Sequence, residues 1–211
     1  MSDPLPLSGA SAPPRSSPLP TAVRWAQWLL EARLSDGDFV VDATAGNGYD
    51  TLFLAQQVLP QGWVYAFDLQ EQAVFSTRQR IASALPPHAQ EHIQVIHASH
   101  AALSAHLPLD WRGQVRAFMF NLGFLPGGDK GVITQPASTL GALRDASDWL
   151  APDGIITVAV YPGHEGGWQE AEAVEAWMSA LPSDQFETQK LGFLNFRKTT
   201  PYLMVLRKRT P

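Results

Sequence analysis

The 211-residue chain carries 15 Lys and Arg against 20 Asp and Glu, for a formal net charge of -5. This charge argues against general adhesion to nucleic acid through phosphates, although it leaves a local RNA site open. Cysteine is absent, which excludes disulfides, thiolate zinc sites and iron–sulfur clusters.

Residues 1–20 are rich in Pro, Ser and Ala, so we predict a disordered tail before a single domain over residues 21–211. The amino terminus shows no basic segment followed by an apolar core, and no apolar run is long enough to span a bilayer. We therefore expect a cytoplasmic protein without membrane contact. Thr21 is the candidate N-cap of a first helix, which runs to about Leu34 and packs on a sheet.

The run from Val40 to Thr51 predicts a buried strand that breaks into a glycine turn and opens a helix. A second apolar strand, Trp63 to Asp68, ends in a carboxylate about 20 residues past the glycines, as in a βαβ unit that binds a nucleoside. Two carboxylate oxygens suit the two hydroxyls of an adenosine ribose. Thr51 stands where a dinucleotide site needs a third glycine, so the pattern favours S-adenosylmethionine over NAD.

Apolar runs and helical periods alternate along the rest of the chain. The further predicted strands are Ile93–His97, Val115–Asn121, Ile155–Tyr161, Phe186–Phe193 and Tyr202–Arg207. The further predicted helices are Asp50–Leu59, Gln70–Leu85, Ala101–Leu107, Pro136–Leu150 and Trp168–Leu181, with Pro152, Asp153 and Gly154 as the stop before the fifth strand. Because the last two strands have no helical pattern between them, they predict an antiparallel hairpin. The expected fold is α/β and Rossmann-like, with a seven-stranded, mostly parallel sheet covered by helices on both faces, as in class I methyltransferases.

Ligands of such a sheet lie beyond the carboxyl ends of the strands. Ser99 and His100 follow the third strand and are candidates to touch adenine or substrate. Asn121 and Phe124 follow the fourth strand with the spacing of the Asn/Asp-Pro-Pro-Tyr/Phe loop of amino-methylating enzymes, although Leu122 and Gly123 replace the prolines. An asparagine carbonyl can orient an amine toward a sulfonium methyl group.

Tyr161 and His164 follow the fifth strand and are candidates for the mouth of the same cleft. Basic residues gather late in the chain, among them Arg197 and Lys198. No His, Asp and Glu set has the spacing of a metal site, and no serine stands on a nucleophile elbow, so we assign neither a metal nor covalent catalysis.

With these segments in view, the chain resembles a bacterial family once labelled rRNA methylases, whose studied members methylate 5-aminomethyl-2-thiouridine at the tRNA wobble position. The likeness runs from about Thr21 to Lys208, and its most distinctive part is Asn121 to Lys130. Tyr49, Pro162 and the run Arg197 to Thr200 depart from the family pattern.

The resemblance implies S-adenosylmethionine as cofactor and the anticodon stem-loop of tRNA as partner. The expected cofactor-binding residues are Asp42, Thr44, Gly46, Asn47, Gly48, Asp50, Thr51, Asp68, Gln70, Ser99, His100 and Asn121. The expected substrate-binding residues are Phe124, Asp129, Lys130, Tyr161, His164, Arg197 and Lys198. The expected catalytic residues are Asn121 for orientation, with Asp129 or His164 as the proton acceptor.

Three alternatives remain open at this point. A methyltransferase acting on rRNA or a small amine would share all of these residues. A non-catalytic module that binds nucleosides or RNA would have no need of an intact Gly46, Gly48 and Asp68. An NAD oxidoreductase would bind a different cofactor. The sequence also leaves a homodimer open.

Overall fold

The structure of the protein, a computed structural model, describes residues 19–123 and 134–210. The helices are α1 Ala22–Glu31, α2 Tyr49–Val58, α3 Glu71–Ala84, α4 Pro87–Gln90, α5 Leu103–His106, α6 Pro136–Trp149 and α7 Gly167–Ser179. The strands are β1 Phe39–Asp42, β2 Trp63–Asp68, β3 Ile93–His97, β4 Val115–Asn121, β5 Leu150–Val160, β6 Phe186–Leu191 and β7 Tyr202–Lys208. Short 3-10 turns cover His100–Ala102 and Leu109–Trp111.

The seven strands form one sheet in the order β3-β2-β1-β4-β5-β7-β6. Strands β1 to β5 are parallel, whereas β7 runs antiparallel to both β5 and β6. The chain reverses its direction of travel across the sheet after β3, so that β1 and β4 become neighbours at the centre. Ligands of open α/β sheets bind at such a switch point, beyond the carboxyl ends of the strands. The predicted fold, including the closing hairpin, is confirmed.

Two apolar layers cover the sheet, because successive side chains of a strand point to opposite faces. In β1, Val40 packs with the apolar side chains of α1, α2 and α3, whereas Val41 packs with those of α5, α6 and α7. Both valines are fully buried. Because both faces of the sheet are covered, the strands have continuous apolar sequences, as predicted.

The first helix shows how local sequence sets the elements. Thr21 accepts a hydrogen bond from the backbone N–H of Arg24 at 3.3 Å, which satisfies one free donor of the first turn and confirms the predicted N-cap. The buried side chains Ala22, Ala26 and Leu30 recur at intervals of four and form the face of α1 that packs on the sheet. The helix ends at Glu31, earlier than predicted.

The predicted start of the fifth strand is wrong. Strand β5 begins at Leu150, directly after α6, and the predicted stop over residues 152–154 lies within its bounds. Val115 pairs with Leu150 and Ala117 pairs with Ile155, so the intervening residues of β5 bulge out of the ladder. Asp153 allows this with a φ of 61°, a left-handed conformation that Asp tolerates better than most residues.

Asp153 also forms ion pairs with three arginines. Arg33 and Arg116 each lie 3.9 Å from its carboxylate, and Arg207 of β7 makes a closer ion pair with it. These contacts hold the pKa of Asp153 below its ordinary value, chiefly through the hydrogen bond from Arg207.

The predicted helix over residues 101–107 also differs from the structure, because a 3-10 turn precedes a single turn of α5 there.

Phe124, Asp129 and Lys130 lie outside the described residues, as does most of the predicted tail. Within residues 19–123 and 134–210, no helix is both long and apolar enough to cross a membrane.

Candidate active site

A cleft of about 550 Å³ opens at the carboxyl edge of the sheet, where β1 and β4 meet. Ligand-binding clefts for small organic molecules have volumes of this order. The predicted site residues that line it are Thr44, Gly46, Asn47, Asp50, Asp68, Gln70, Ser99, His100, Asn121, Tyr161 and His164. The structure therefore brings together side chains from five different segments of the chain.

The glycine turn between β1 and α2 forms one wall of the cleft. Gly46 and Gly48 have φ values of 54° and 78°, which favour glycine over any residue with a side chain. A Cβ atom on Gly48 would lie 2.8 Å from the Cα atom of Thr77 in α3. This close approach brings Thr77 near enough for its hydroxyl to donate a hydrogen bond to the carbonyl of Gly46 at 3.1 Å. The turn is thus held by α3.

Asp42, Gly48 and Thr51 do not line the cleft, so their predicted role in cofactor binding stays a prediction. Asp42 is 1% exposed and lies beneath the turn, where it accepts hydrogen bonds from the backbone N–H of Thr44 at 3.1 Å and from the hydroxyl of Thr51 at 2.6 Å. Thr51 is fully buried. Asp42 and Thr51 therefore shape the glycine turn from below.

Burial and, to a smaller extent, the nearby charge of Asp50 raise the pKa of Asp42 to about 7. Burial also raises the pKa of Asp50, while hydrogen bonds from Gln27 and Asn121 lower it. The side-chain amide of Gln27 donates to the Asp50 carboxylate at 3.1 Å, and the side-chain amide of Asn121 donates to the same carboxylate at 3.4 Å. Two neighbouring carboxyl groups in a largely buried region resist carrying two negative charges.

Asp68 joins the two loops that flank the cleft. One carboxylate oxygen accepts the backbone N–H of Gly46 at 2.8 Å, and the other accepts the backbone N–H of Gln70 at 2.9 Å. Each carboxylate oxygen can accept a further hydrogen bond, so both remain usable by the two hydroxyls of a ribose. The carboxylate at the end of β2 therefore fits the ribose of an adenosine cofactor.

His100 offers a second place for the cofactor. Its side chain is 7% exposed, it lines the cleft, and its Nε2 atom has no hydrogen-bond partner among the described residues. Burial lowers the pKa of this imidazole, which keeps it neutral at physiological pH. A buried polar atom without a partner is costly unless a ligand supplies one. The edge of a base such as adenine would supply the missing partner for Nε2. The ring of Phe120 packs edge-on against the imidazole, with the two ring centroids 5.9 Å apart.

Asn121 lies at the end of β4 and is held on two sides. Its backbone N–H donates to the hydroxyl of Thr44 at 2.6 Å, and its side-chain amide donates to Asp50. The structure thus connects the end of β4 directly to the glycine turn. Asn121 lines the cleft together with Thr44, Asp50, Tyr161 and His164.

Tyr161 and His164 lie at the other wall of the cleft, after β5. The Nδ1 atom of His164 is 2.8 Å from the carbonyl of Glu165, so Nδ1 carries the proton in the neutral ring and Nε2 carries the lone pair. Burial and the charge of Asp50 raise the pKa of Tyr161, which keeps its phenol protonated. Arg197 and Lys198 are exposed and do not line the cleft, and their predicted role in binding substrate stays a prediction.

Sequence reasoning missed several residues of the site. Gly123 and Thr134 line the cleft and contact each other, with the N–H of Gly123 donating to the Thr134 hydroxyl at 3.0 Å. That hydroxyl in turn donates to Glu170 of α7 at 2.6 Å, and Thr139 donates to the same carboxylate at 2.6 Å. Glu170 is 2% exposed. No spacing in the sequence signals this network, because its members come from three separate segments.

Tyr49 and Gln27 were not among the predicted site residues, although Tyr49 was noted as a departure from the family pattern. Tyr49 lines the cleft and its ring lies 3.5 Å from the guanidinium of Arg80, which also donates to the carbonyl of Asn47 at 2.6 Å. Gln27 belongs to α1, far from the turn in sequence. Within the described part of the chain, no group of three or more His, Asp or Glu side chains could hold a metal ion.

Comparison with known proteins agrees with this geometry. Residues 64–207 match the family model described as "Putative rRNA methylase". The chain is 39% identical over 193 residues to the tRNA (mnm(5)s(2)U34)-methyltransferase, chloroplastic, of Arabidopsis thaliana, with 89% of this chain and 69% of the relative covered.

Two solved structures are also similar. The first is from Clostridium thermocellum and is described as "putative rRNA-methylase", with 32% identity, 91% of this chain and 100% of that chain covered, and a TM-score of 0.84. The second is a Streptococcus mutans protein described as a "putative methyltransferase", in complex with SAH, with 32% identity, coverage of 90% and 99%, and a TM-score of 0.79. The chain belongs to this rRNA methylase family, with the class I methyltransferase fold, and is an S-adenosylmethionine-dependent methyltransferase.

Proposed function

We propose that the protein N-methylates the 5-aminomethyl group of 2-thiouridine at the wobble position of tRNA. Asn121 carries this proposal, because it lines the cleft and its hydrogen bonds to Thr44 and Asp50 fix it beside the glycine turn. The name of the Arabidopsis thaliana relative, a tRNA (mnm(5)s(2)U34)-methyltransferase, supports the choice of substrate.

Asn121 is suited to orient an amine. Its amide nitrogen donates to Asp50, so the amide oxygen is the atom left to accept a hydrogen bond from a substrate N–H. When bound, S-adenosylmethionine supplies an activated methyl group on its sulfonium. The Asn121 oxygen would hold the amine nitrogen on the line of displacement, at a contact of about 3 Å from the methyl carbon. Positioning of this kind supplies most of the expected acceleration.

The cleft must also deliver the amine in its neutral form. An alkylamine with a lysine-like pKa of about 10 arrives mostly as an ammonium ion, which has no lone pair. Asp50 gives the cleft a negative charge that attracts this cation. His164 would then take the proton, because its imidazole ring lines the same cleft. Asp129, the other proton acceptor that the sequence predicts, lies outside the described residues.

The test is a nucleoside analysis with the full-length protein. Labelled S-adenosylmethionine is incubated with tRNA from a strain that lacks this methylation, and rRNA from the same strain serves as the parallel substrate. We expect the label on 5-aminomethyl-2-thiouridine of the digested tRNA. Label confined to rRNA, or to a free small amine added in a third reaction, would replace the proposed substrate.

Asn121→Ala tests the orienting role. Removal of the amide should lower kcat on tRNA by about 100-fold, the size that a small misplacement of reacting groups costs. Affinity for S-adenosylmethionine and the melting temperature should change little. Ser138→Ala, at another polar position that lines the cleft, is the matched control. Full activity of Asn121→Ala at saturating tRNA would contradict the assignment.

A further inference from the structure

The connection between β6 and β7, residues 192–201, stands beside the mouth of the cleft. Strand β7 is antiparallel to β5, and Tyr202 at its start pairs with Val160 at the end of β5. The connection therefore leaves the sheet at the same edge as the carboxyl ends of β1 to β5. It also touches the segment that carries Tyr161 and His164, since a Cβ atom on Gly163 would lie 3.0 Å from the carbonyl oxygen of Thr199.

Apolar side chains in this connection face the solvent. The rings of Phe193 and Phe196 are stacked, with centroids 4.5 Å apart and an angle of 16° between their planes. Phe196 is 57% exposed, and Leu194, which lies between Phe193 and Phe196 in the sequence, is fully exposed. Single exposed apolar residues are common, but the exposed Leu194 and Phe196, with the half-buried Phe193 stacked on Phe196, form a patch at the edge of a cleft that a partner would cover.

The charge of the connection differs from that of the whole chain. Arg197 and Lys198 follow directly after Phe196 and are exposed. No Asp or Glu occurs from Leu191 to Pro201, so the segment has two cations and no anion in a chain whose net charge is -5. A local positive charge in an acidic protein favours a polyanionic partner over a second copy of the same chain.

We propose that Phe193, Leu194, Phe196, Arg197 and Lys198 form a platform that binds single-stranded nucleic acid. An unpaired base stacks on the outer face of Phe196, and Arg197 and Lys198 contact the adjoining phosphates. Flat aromatic rings recognise splayed bases of any sequence, whereas paired bases in a duplex do not expose their faces. This inference rests on the proposed function and extends it, because it states how an RNA loop is held while one nucleotide enters the cleft.

The test measures binding of the full-length protein to a synthetic RNA hairpin with an unpaired loop, by fluorescence anisotropy over a range of salt concentrations. Phe196→Ala should weaken binding at least about fivefold, the lower end of the effect of losing one stacked base. Phe75→Ala is the matched control, because Phe75 is 55% exposed but belongs to α3 near the opposite edge of the sheet. It should bind the hairpin as the wild type does.

Arg197→Ala gives an independent readout. Loss of one phosphate contact should weaken binding and reduce the slope of log affinity against log salt by about 0.7. Affinity for S-adenosylmethionine, measured by calorimetry, should be unchanged in all three variants, because none of these residues lines the cleft.

Two results would overturn the platform. One is wild-type affinity and salt dependence in Phe196→Ala. The other is a wild-type protein that sediments as a dimer and a Phe196→Ala variant that sediments as a monomer with unchanged affinity for RNA. This result would assign the patch to contact between copies of the chain. These outcomes are separable from those of the proposed function: methylation of tRNA without dependence on Phe196 removes only the platform, whereas hairpin binding through Phe196 without methylation of tRNA removes only the proposed substrate.

Discussion

Gly48→Ala is expected to destabilise the protein through two separate effects. The residue has a φ of 78°, and a left-handed conformation costs a residue with a Cβ atom about 1–2 kcal/mol. The added Cβ would also lie 2.8 Å from the Cα atom of Thr77, a backbone atom that cannot rotate away. Forcing an extra carbon into such a space costs about 1–3 kcal/mol. The free energy of unfolding should therefore fall by about 2–5 kcal/mol in total.

Gly113→Ala is the matched control. Gly113 has nearly the same φ, 76°, but no atom lies within 4 Å of the position of its added Cβ. Only the backbone cost of about 1–2 kcal/mol applies there. Urea unfolding of both variants, with unchanged m-values, gives the two losses directly. Equal losses in the two variants would refute the idea that the contact with α3 matters at Gly48.

The same pair of variants has a functional readout. Helix α3 holds the glycine turn through the hydrogen bond from Thr77 to Gly46 and through the one from Arg80 to the carbonyl of Asn47. Displacing α3 should therefore move the wall of the cleft and weaken binding of S-adenosylmethionine in Gly48→Ala. Gly113→Ala, which lies in a turn before β4, should bind as the wild type does.

The remaining predictions concern three buried or bridging carboxyl groups. Burial raises the pKa of Asp42 from 3.8 to about 7, so between pH 3.8 and pH 7 the folded state retains a proton that the unfolded state loses. The free energy of unfolding should therefore fall as the pH rises through this window. Urea melts of Asp42→Asn should show a free energy of unfolding that changes less with pH. Asp68→Asn should weaken S-adenosylmethionine binding at least about tenfold in calorimetry, because the new amide turns donors toward the N–H of Gly46 or Gln70; an unchanged Kd would count against Asp68 as the ribose contact. Glu170→Ala should destabilise the fold by about 1–3 kcal/mol for each of the two threonine hydroxyls that it leaves without an acceptor, whereas Glu172→Ala, at an exposed position of the same helix, should have little effect in the same melts.

The sequence could predict the fold well, because the relevant signals are local. The apolar runs of β1 to β4, the glycine turn after β1 and the absence of a helical pattern before β7 each depend on neighbouring residues. The boundary of β5 could not be predicted from the same signals. Pro152, Asp153 and Gly154 look like a terminator, yet the arginines that surround Asp153 come from the turn after α1, from β4 and from β7, and only the folded chain brings them together.

The candidate site was predictable to the extent that strand ends can be located. Asp68, His100, Asn121 and Tyr161 follow strand ends and do line the cleft. Asp42 also stands at a strand end, but the direction of its side chain depends on the pleat, which turns it into the core. The contacts that hold the site, such as Gln27 with Asp50, join residues that no local pattern relates.

The reversed direction of β7 has a consequence for how substrate choice could change in this fold. The groups that fit the methyl donor come from residues 44–100, whereas the connection over residues 192–201 lies beside the cleft, next to the end of β5. Exchange of those ten residues between relatives would leave the donor pocket in place. Such a graft could therefore transfer a preference for one acceptor without rebuilding the chemistry.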